Sequence, residues 1–290
     1  MIDKTEIKPV WVIEEDFTSR TGMTLDAVAK KHNLDTYSLE EWLKHGNMDA
    51  PAIIYASTMG IRRLLMSDLY HSGYGPIGMY CNLSSFEFRR YSQKLPENSL
   101  LNHDFGILPW KEFVRRYKTI DLMATFVRPN TGVKIFPGRV LKCFDEASKF
   151  GYDYQIQDEA LVVYADVKRI TAEFRFLVVN KELIAGTMYM FQGNVDIQNN
   201  GFNTTTWLFA ESVAESMDMP DEIYTMDVGI HEGKPKVIEL NSFSCASLYG
   251  MDLNKVVTAV TDHTIHLWKE MYDEEYYEKT QRNRNLCTGL

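Results

Sequence analysis

The sequence lacks long apolar runs, paired cysteines and the short motifs of several common enzyme classes. No apolar run approaches the about 20 residues of a membrane span, so no membrane partner is expected. The four cysteines never form a Cys-x-x-Cys pair, and reduced thiols in a cytoplasmic protein are the simplest interpretation. Gly-x-Ser-x-Gly, His-Glu-x-x-His and the Walker ending Gly-Lys-[Ser/Thr] are also absent, which argues against the hydrolase, zinc-protease and P-loop classes.

The composition is that of a folded chain of about two domains. The length is 290 residues, and about 150 residues per domain is the usual expectation. A hydrophobic content of 45% and an aromatic content of 12% argue against extended disorder. The net charge of −9 argues against general binding to a nucleic-acid backbone. Residues 1–8 are polar and charged rather than apolar, so no signal peptide is expected and a cytoplasmic location is predicted.

The first part of the chain alternates strand and helix patterns. Residues 38–46 predict a helix, because Ser38 and Glu41 form a capping box and Gly46 ends the pattern. Residues 52–56 predict a buried strand, and a second helix follows from Ser57. This order predicts a small α/β domain over residues 1–120.

Beyond residue 120 the pattern changes to longer strands that form hairpins. Strands are predicted at residues 124–128, 161–164, 172–179, 183–189, 223–230 and 236–241, and helices at 204–217 and 253–271. We therefore predict an α+β domain over residues 121–272, built as two lobes with a cleft between them, and a polar carboxyl-terminal tail over residues 273–290.

Oxygen-bearing side chains recur on two neighbouring strands of the last hairpin. Glu239 and Asn241 project to one face, while Ile238 and Leu240 are expected to turn into the core. A three-residue hairpin loop would place Asp227 opposite Glu239, whereas a two-residue loop would turn Asp227 to the other face. Carboxylate and amide oxygens suit Mg²⁺, but a solvent-facing polar hairpin would give the same pattern.

Basic residues and glycines follow the strand at residues 124–128. Arg128 ends the strand, and a turn containing Gly132 and Gly138 brings Lys134 near it. Arginine offers a planar fork to phosphate oxygens, and lysine offers a mobile point charge. A surface hairpin with ordinary cations is the alternative interpretation.

Two further segments are weaker candidates. Glu173 and Arg175 point to the same side of one strand, where Tyr189 of the partner strand can reach them, and an exposed ion pair would look identical. The apolar strand around Val163 and Tyr164 is a candidate for reading an adenine edge through its backbone, although an ordinary core strand fits it equally.

In chain order, these segments resemble the ATP-grasp superfamily. The pattern is a strand ending in Arg-Pro, a glycine-containing loop with lysine, an apolar hinge, Glu-x-Arg, Asp and finally Glu-x-Asn. A phage and bacterial clade, in which Arg-Pro stands where many relatives have Lys-Pro, is the most similar group. Residues 54–57, 78–80 and 100–104 also fit that clade, so the resemblance spans roughly residues 50–260.

The resemblance implies an ATP-grasp fold and an ATP-dependent ligase that joins a carboxylate to an amine or similar nucleophile through an acyl phosphate. ATP and Mg²⁺ are the implied cofactors, and small-molecule or peptide acids and amines are the implied partners. By the same match, the metal ligands would be Asp227, Glu239 and Asn241. The nucleotide would be bound by Arg128, Lys134, Val163, Tyr164 and Glu173, and the catalytic residues would be Arg175 and Arg128.

Two other functions compete with the ligase at this point. One is a kinase-like phosphotransferase of the same fold, which would release a stable phosphorylated product. The other is a nucleotide-binding protein without catalysis. The sequence specifies neither the acid nor the nucleophile, and a homodimer stays open.

Overall fold

The structure, a computed structural model, describes residues 8–14, 24–46, 51–67, 78–119, 124–198 and 201–272. It is 34% helical and 30% strand, which confirms the α+β class. The chain divides into two compact units, one of residues 1–80 with 252–290 and one of residues 81–251. The predicted polar tail at 273–290 lies outside the described residues. Within the described ranges, no helix combines the length and apolar character needed to cross a membrane.

The strands and helices are numbered in chain order. The strands are β1 (Val10–Ile13), β2 (Thr36–Ser38), β3 (Ala52–Tyr55), β4 (Gly106–Pro109), β5 (Thr125–Pro129), β6 (Arg139–Leu141), β7 (Leu161–Asp166), β8 (Ala172–Val179), β9 (Glu182–Phe191), β10 (Asn194–Gln198), β11 (Ile223–His231) and β12 (Lys234–Ser242). The α-helices are α1 (Leu25–Lys31), α2 (Leu39–His45), α3 (Thr58–Leu65), α4 (Phe88–Tyr91), α5 (Trp110–Thr119), α6 (Phe144–Asp153), α7 (Thr204–Ser216) and α8 (Leu253–Tyr272), with a short 3₁₀ turn at Phe243–Cys245.

The first unit contains a parallel sheet in the order β2-β1-β3 together with helices α1, α2, α3 and α8. The predicted capping box of α2 is confirmed, since the Ser38 hydroxyl accepts from the Glu41 amide and the Glu41 carboxylate accepts from the Ser38 amide. Ser57 caps α3 through its own hydroxyl, which accepts from the Gly60 amide. The buried Trp11 of β1 donates its indole N–H to the hydroxyl of Thr261 in α8, at 3.1 Å.

The second unit contains two antiparallel sheets. Five strands follow the order β10-β9-β8-β11-β12, and four follow β4-β7-β5-β6. A hydrophobic core on the first sheet includes Phe176, Met226 and Leu240 with residues of α7. An aromatic core centred on Trp110 and Phe150 includes residues of β5 and β7. Each buried side chain of this size stabilises the fold by about 1.5–3 kcal/mol.

The hairpin of β11 and β12 differs from both of the expected registers. Its loop has two residues, Glu232 and Gly233, both with positive φ, so Asp227 would ordinarily turn away from Glu239. A β-bulge at Ile238 compensates, because the extra residue has no partner and restores Asp227 to a position opposite Glu239. The prediction that a two-residue loop separates these carboxylates is therefore wrong.

The bulge also changes the position of Ile238 itself. A Cβ at Gly229 would lie 2.8 Å from Ile238 Cδ1, and Gly229 shares a face with Asp227. Ile238 therefore lies on the cavity face of the sheet and not in the core, which corrects the simple alternation expected from sequence. Leu240 is 2% exposed and packs in the core as predicted.

Candidate functional site

Charged side chains from three adjacent strands lie side by side in the second unit. Arg175 of β8 is opposite Asp227 of β11, which is opposite Glu239 of β12. The residues adopt this order because the alternation of each strand and the bulge together set one shared face. The shared face predicted for Asp227 and Glu239 is thus present, by a route that the sequence pattern does not show.

The Arg175–Asp227 pair is buried and bidentate. The guanidinium Nε and Nη2 donate to the two carboxylate oxygens at 2.6 and 2.7 Å, and Nη1 donates to the Ser247 carbonyl at 3.0 Å. Burial alone would lower the pKa of Arg175, but the Asp227 carboxylate beside it raises that pKa well above its usual value, so Arg175 stays charged. Removing either partner of such a pair typically costs about 3–5 kcal/mol, because the other charge is left buried and unpaired.

Glu239 is held by cations from the four-stranded sheet side of the unit. Arg128 Nη2 lies 2.8 Å from one of its oxygens, and Lys134 Nζ lies 3.3 Å from the other. The amide of Asn241 also donates to Glu239, at 3.1 Å. Burial raises the pKa of Glu239, but Lys134, Arg128 and Arg175 together lower it far below its ordinary value. This carboxylate is therefore ionised at any ordinary pH.

Arg128 is the most constrained of the phosphate candidates. Its Nη1 donates to the Ile238 carbonyl at 3.4 Å, an acceptor that the bulge leaves out of the ladder. Its guanidinium also lies over the Phe88 ring, 5.3 Å from the centroid. Lys134 is different, because its side chain is 61% exposed and can follow a ligand.

Glu173 belongs to the same group of charges through a tyrosine. The Tyr189 hydroxyl lies 2.6 Å from Glu173 Oε2 and 3.4 Å from Asp227 Oδ2. Burial raises the pKa of Glu173, and its hydrogen bond to Tyr189 opposes that rise only in part. The sequence placed Glu173, Arg175 and Tyr189 on one face, and the structure brings all three together.

A cavity of 430 Å³ opens in front of these groups, which is within the range of about 300–1,000 Å³ for small-molecule sites. One part of its wall is polar and includes Arg128, Lys134, Glu173, Asp227 and Glu239. Another part is apolar and includes Leu101, Phe126, Val140, Val167, Ile170 and Met190. A ligand with a flat apolar end and a charged end would fit this division.

Four of the predicted site residues do not line the cavity. Val163 is fully buried within β7. Tyr164 packs against the aromatic core and accepts from Arg116 at 3.3 Å. The other two are close to the charged group but behind its surface, namely Arg175 and Asn241. The cavity wall after β7 is instead formed by Val167, Lys168 and Ile170.

Sequence reasoning missed two polar residues of the wall. Asn102 is 5% exposed and lines the cavity, in a segment joined to β12 by hydrogen bonds between residues 99–101 and Val237. Lys168 also lines it and pairs with Asp104 at 2.6 Å. The run at residues 100–104 did signal a relationship to the clade, but nothing in its spacing pointed to a wall of the site.

The carboxylates fit a divalent metal that brings its own oxygen ligands. Within the described ranges, no group of three or more His, Cys, Asp and Glu side chains is arranged to hold an ion alone. Two neighbouring carboxylates and an amide are nevertheless a hard-oxygen set, and Mg²⁺ is commonly held by one or two carboxylates together with substrate phosphates. The donor chemistry of Asp227, Glu239 and Asn241 is therefore compatible with phosphate-bound Mg²⁺.

Residues 110–259 match a family model described as an ATP-grasp domain, the second family of its clade. Among solved structures, the ATP-grasp ligase PsnB with a minimal precursor is similar, with 13% identity, a TM-score of 0.55, and coverage of 89% of this chain and 100% of that chain. D-alanine–D-alanine ligase from Bacillus anthracis has 11% identity, a TM-score of 0.54 and coverage of 91% and 99%. D-cycloserine synthetase DcsG has 9% identity, a TM-score of 0.55 and coverage of 88% and 99%.

These likenesses confirm the predicted ATP-grasp fold. At such low identities they establish the fold alone. No curated protein sequence matches the chain.

Proposed function

The chain belongs to this family of ATP-grasp domains, and we propose that it is an ATP- and Mg²⁺-dependent ligase. In this proposal, a carboxylate is joined to an amine or similar nucleophile through an acyl phosphate. The acid and the amine are small molecules or peptide ends. The Arg-Pro sequence at Arg128 and the kinship to phage and bacterial proteins belong to the same proposal.

The single observation that supports this proposal most is the meeting of opposite charges on one wall of the cavity. Arg128 and Lys134 contact Glu239, and Arg175 contacts Asp227. Ion pairs of this kind offer two functions at once, because the cations can turn to phosphate oxygens while the released carboxylates accept a metal. An apolar wall beside them suits an adenine ring.

The charges of this group also balance. Arg128, Lys134 and Arg175 carry three positive charges, and Glu173, Asp227 and Glu239 carry three negative charges when all are ionised. A metal ion alone would have to displace cations from both carboxylates, and a triphosphate alone would leave those carboxylates unpaired. Binding both together keeps the group balanced, so nucleotide and metal are expected to bind cooperatively.

Each residue has a distinct task in the proposed reaction. Arg128 and Lys134 bind the phosphates, Glu173 positions the nucleotide or metal, and Arg175 steadies the transferring phosphoryl group. Asp227, Glu239 and Asn241 hold Mg²⁺, which when bound neutralises phosphate charge. Phosphoryl transfer depends mainly on such positioning and electrostatic stabilisation, so no protein nucleophile is required.

The proposed chemistry has two steps. A carboxylate oxygen of the acid attacks the γ-phosphorus of ATP, the bond to the bridging oxygen breaks, and ADP leaves. The amine nitrogen then attacks the carbonyl carbon, phosphate leaves, and the nitrogen loses a proton. The loop at residues 131–138 carries three of the wall residues, Thr131, Lys134 and Phe136, and would shield the acyl phosphate from water.

The domain arrangement is part of the same proposal. Residues 121–272 form the ATP-grasp domain, residues 1–120 form a smaller amino-terminal α/β domain, and residues 273–290 form a polar tail. The alternative that Val163 and Tyr164 read the adenine is not retained as a side-chain contact, because neither lines the cavity. A homodimer and a cytoplasmic location stay predictions.

The test is ATP-dependent phosphate release in a matrix of acids and amines, followed by mass spectrometry of the product. A ligase releases phosphate only when both an acid and an amine are present, and the product mass equals acid plus amine minus water. Glu239→Gln, which keeps the side-chain shape, should abolish Mg²⁺-dependent turnover. A stable phosphorylated product formed with one substrate alone would indicate the phosphotransferase instead, and turnover that is unchanged in Glu239→Gln would overturn the metal assignment.

A further inference from the structure

Arg175 has aromatic contacts that none of the roles assigned above uses. Its guanidinium lies 4.9 Å from the centroid of the Tyr249 ring and 5.6 Å from that of Tyr189. The two rings are stacked on each other, with centroids 4.7 Å apart and planes 9° apart. Arginine packs well on aromatic faces, and the attraction grows when the pair is removed from water.

Tyr249 adopts an unusual backbone conformation to make this contact. Its φ is +47°, the left-handed region that bulky residues avoid. The Met251 amide donates to the Leu248 carbonyl at 3.1 Å, so Tyr249 is the first central residue of a turn. Turns with positive φ at that position favour glycine, yet the glycine of this turn, Gly250, is one place later.

Such strain persists only where the surrounding structure holds it and commonly occurs at functional sites. The buried Leu248 and Met251 hold the turn from both sides, at 1% and 4% exposure. The turn therefore presents the Tyr249 ring to Arg175, while the preceding Ser247 carbonyl accepts from the same guanidinium.

These contacts matter most when Asp227 is engaged elsewhere. If Asp227 gives its oxygens to a metal, Arg175 loses the two hydrogen bonds that fix it in the present structure. The Ser247 carbonyl and the two tyrosine rings are contacts of Arg175 that do not depend on Asp227. They would keep the guanidinium plane in place during phosphoryl transfer.

We propose that Tyr249 is a positioning residue that holds Arg175 for the transferring phosphoryl group. This inference rests on the proposed function, since it assumes the role of Arg175 in an ATP-dependent reaction. It assigns a mechanistic reason to a strained residue that contacts neither the metal candidates nor the phosphate candidates directly.

Three substitutions separate the ring from the backbone strain. Tyr249→Phe keeps the ring, Tyr249→Leu keeps bulk without an aromatic face, and Tyr249→Gly removes both the ring and the strain. Glu232→Gly is a matched control, because Glu232 also has a φ of +50° and precedes a glycine, at the tip of the β11–β12 hairpin. Its side chain is 84% exposed.

The readout is calorimetric binding of MgADP with and without aluminium fluoride, which mimics the transferring phosphoryl group. We expect aluminium fluoride to tighten MgADP binding in the wild type, in Tyr249→Phe and in Glu232→Gly. We expect Tyr249→Leu and Tyr249→Gly to lose about tenfold or more of that tightening, the size expected for a desolvated cation–π contact, with MgADP affinity changed less than about threefold. Thermal unfolding of each variant reports whether it is folded.

Equal tightening in Tyr249→Leu and in the wild type would overturn the inference, as would equal losses of MgADP affinity with and without the fluoride. If Tyr249→Gly fails to fold, the comparison of Tyr249→Leu with Tyr249→Phe decides the matter alone. Failure of the wild type to bind MgADP would contradict the proposed function itself. Binding of MgADP without any tightening by the fluoride would contradict the role of Arg175 and with it that of Tyr249.

Discussion

Lys134 and Arg128 contact the same carboxylate but differ in what surrounds them. The Arg128 side chain is 12% exposed and has a carbonyl and an aromatic ring as further partners, whereas the Lys134 side chain is 61% exposed. Lys134 can therefore be removed without leaving a buried group unpaired, which makes it the cleaner probe of phosphate binding.

Lys134→Ala should weaken ATP binding by about tenfold or more, because a charge-assisted hydrogen bond to phosphate is lost. The unfolding temperature should change little, since an exposed ion pair contributes little to stability. Calorimetric titration with MgATP measures the affinity. Lys111→Ala is the control, because Lys111 forms an exposed ion pair with Asp158 outside the cavity wall. Equal affinities in the two variants would show that Lys134 does not contact the nucleotide.

Asp221 gives a pH prediction that is independent of ATP. Burial raises the pKa of Asp221 to about 6, although the amides of Asn82 and Glu222 donate to it. The folded state therefore holds this proton more tightly than the unfolded state, whose pKa is near 3.8. The resulting stability is present below the unfolded value and is lost as the pH rises through about 6.

Asp221→Asn should remove this pH dependence. Relative to the variant, the wild type should lose unfolding free energy between about pH 4 and pH 6 and then run parallel to it at higher pH. Urea unfolding of both proteins across this range measures the difference. A constant difference across the whole range would show that Asp221 has an ordinary pKa.

At the scale of elements, the bulge at Ile238 illustrates what sequence patterns can and cannot show. Alternation and hairpin spacing predicted the strands and the candidate carboxylates, because both depend on local chain geometry. The bulge depends on how β12 pairs with β11 and on the carbonyl that Arg128 needs, which are contacts between distant residues. The same is true of Cys81 and Cys245, whose sulfur atoms lie 3.4 Å apart although the sequence separates them widely.

Deletion of Ile238 tests the role of the bulge. The pairs on both sides of it, Val228–Val237 and Asp227–Glu239, can both persist in an unbulged hairpin, so the variant should fold. It should bind MgATP several-fold more weakly, because Arg128 loses its carbonyl acceptor. Ile238→Ala, which keeps the carbonyl and shortens only the side chain, should retain more affinity. If the alanine variant is as weak as the deletion, the side chain and not the bulge supports the site.

At the scale of the whole molecule, the sequence predicted the α+β class and the ATP-grasp fold correctly, because the order of its motifs survives at low identity. It also predicted that Arg128, Lys134, Glu173, Asp227 and Glu239 would come together around one cavity. It failed for Val163 and Tyr164, since a short apolar strand looks the same whether its end or its centre faces a cleft. The cavity wall beyond β7 comes from residues with no distinctive pattern.

The central claim is that Asp227 and Glu239 exchange their cationic partners for a nucleotide-bound metal. The exchange makes Mg²⁺ and ATP cooperative, and coupling of this kind typically changes an affinity by about 5–150-fold. Measuring the coupling through ATP affinity avoids any need to know the acid or the amine.

The most direct measurement is calorimetric titration of ATP, with and without Mg²⁺, into the wild type and Glu239→Gln. The account predicts that Mg²⁺ tightens ATP binding to the wild type by about tenfold or more and that this gain is largely lost in the variant, which remains folded. An equal gain from Mg²⁺ in both proteins would contradict it, because the metal would then bind ATP without help from Glu239.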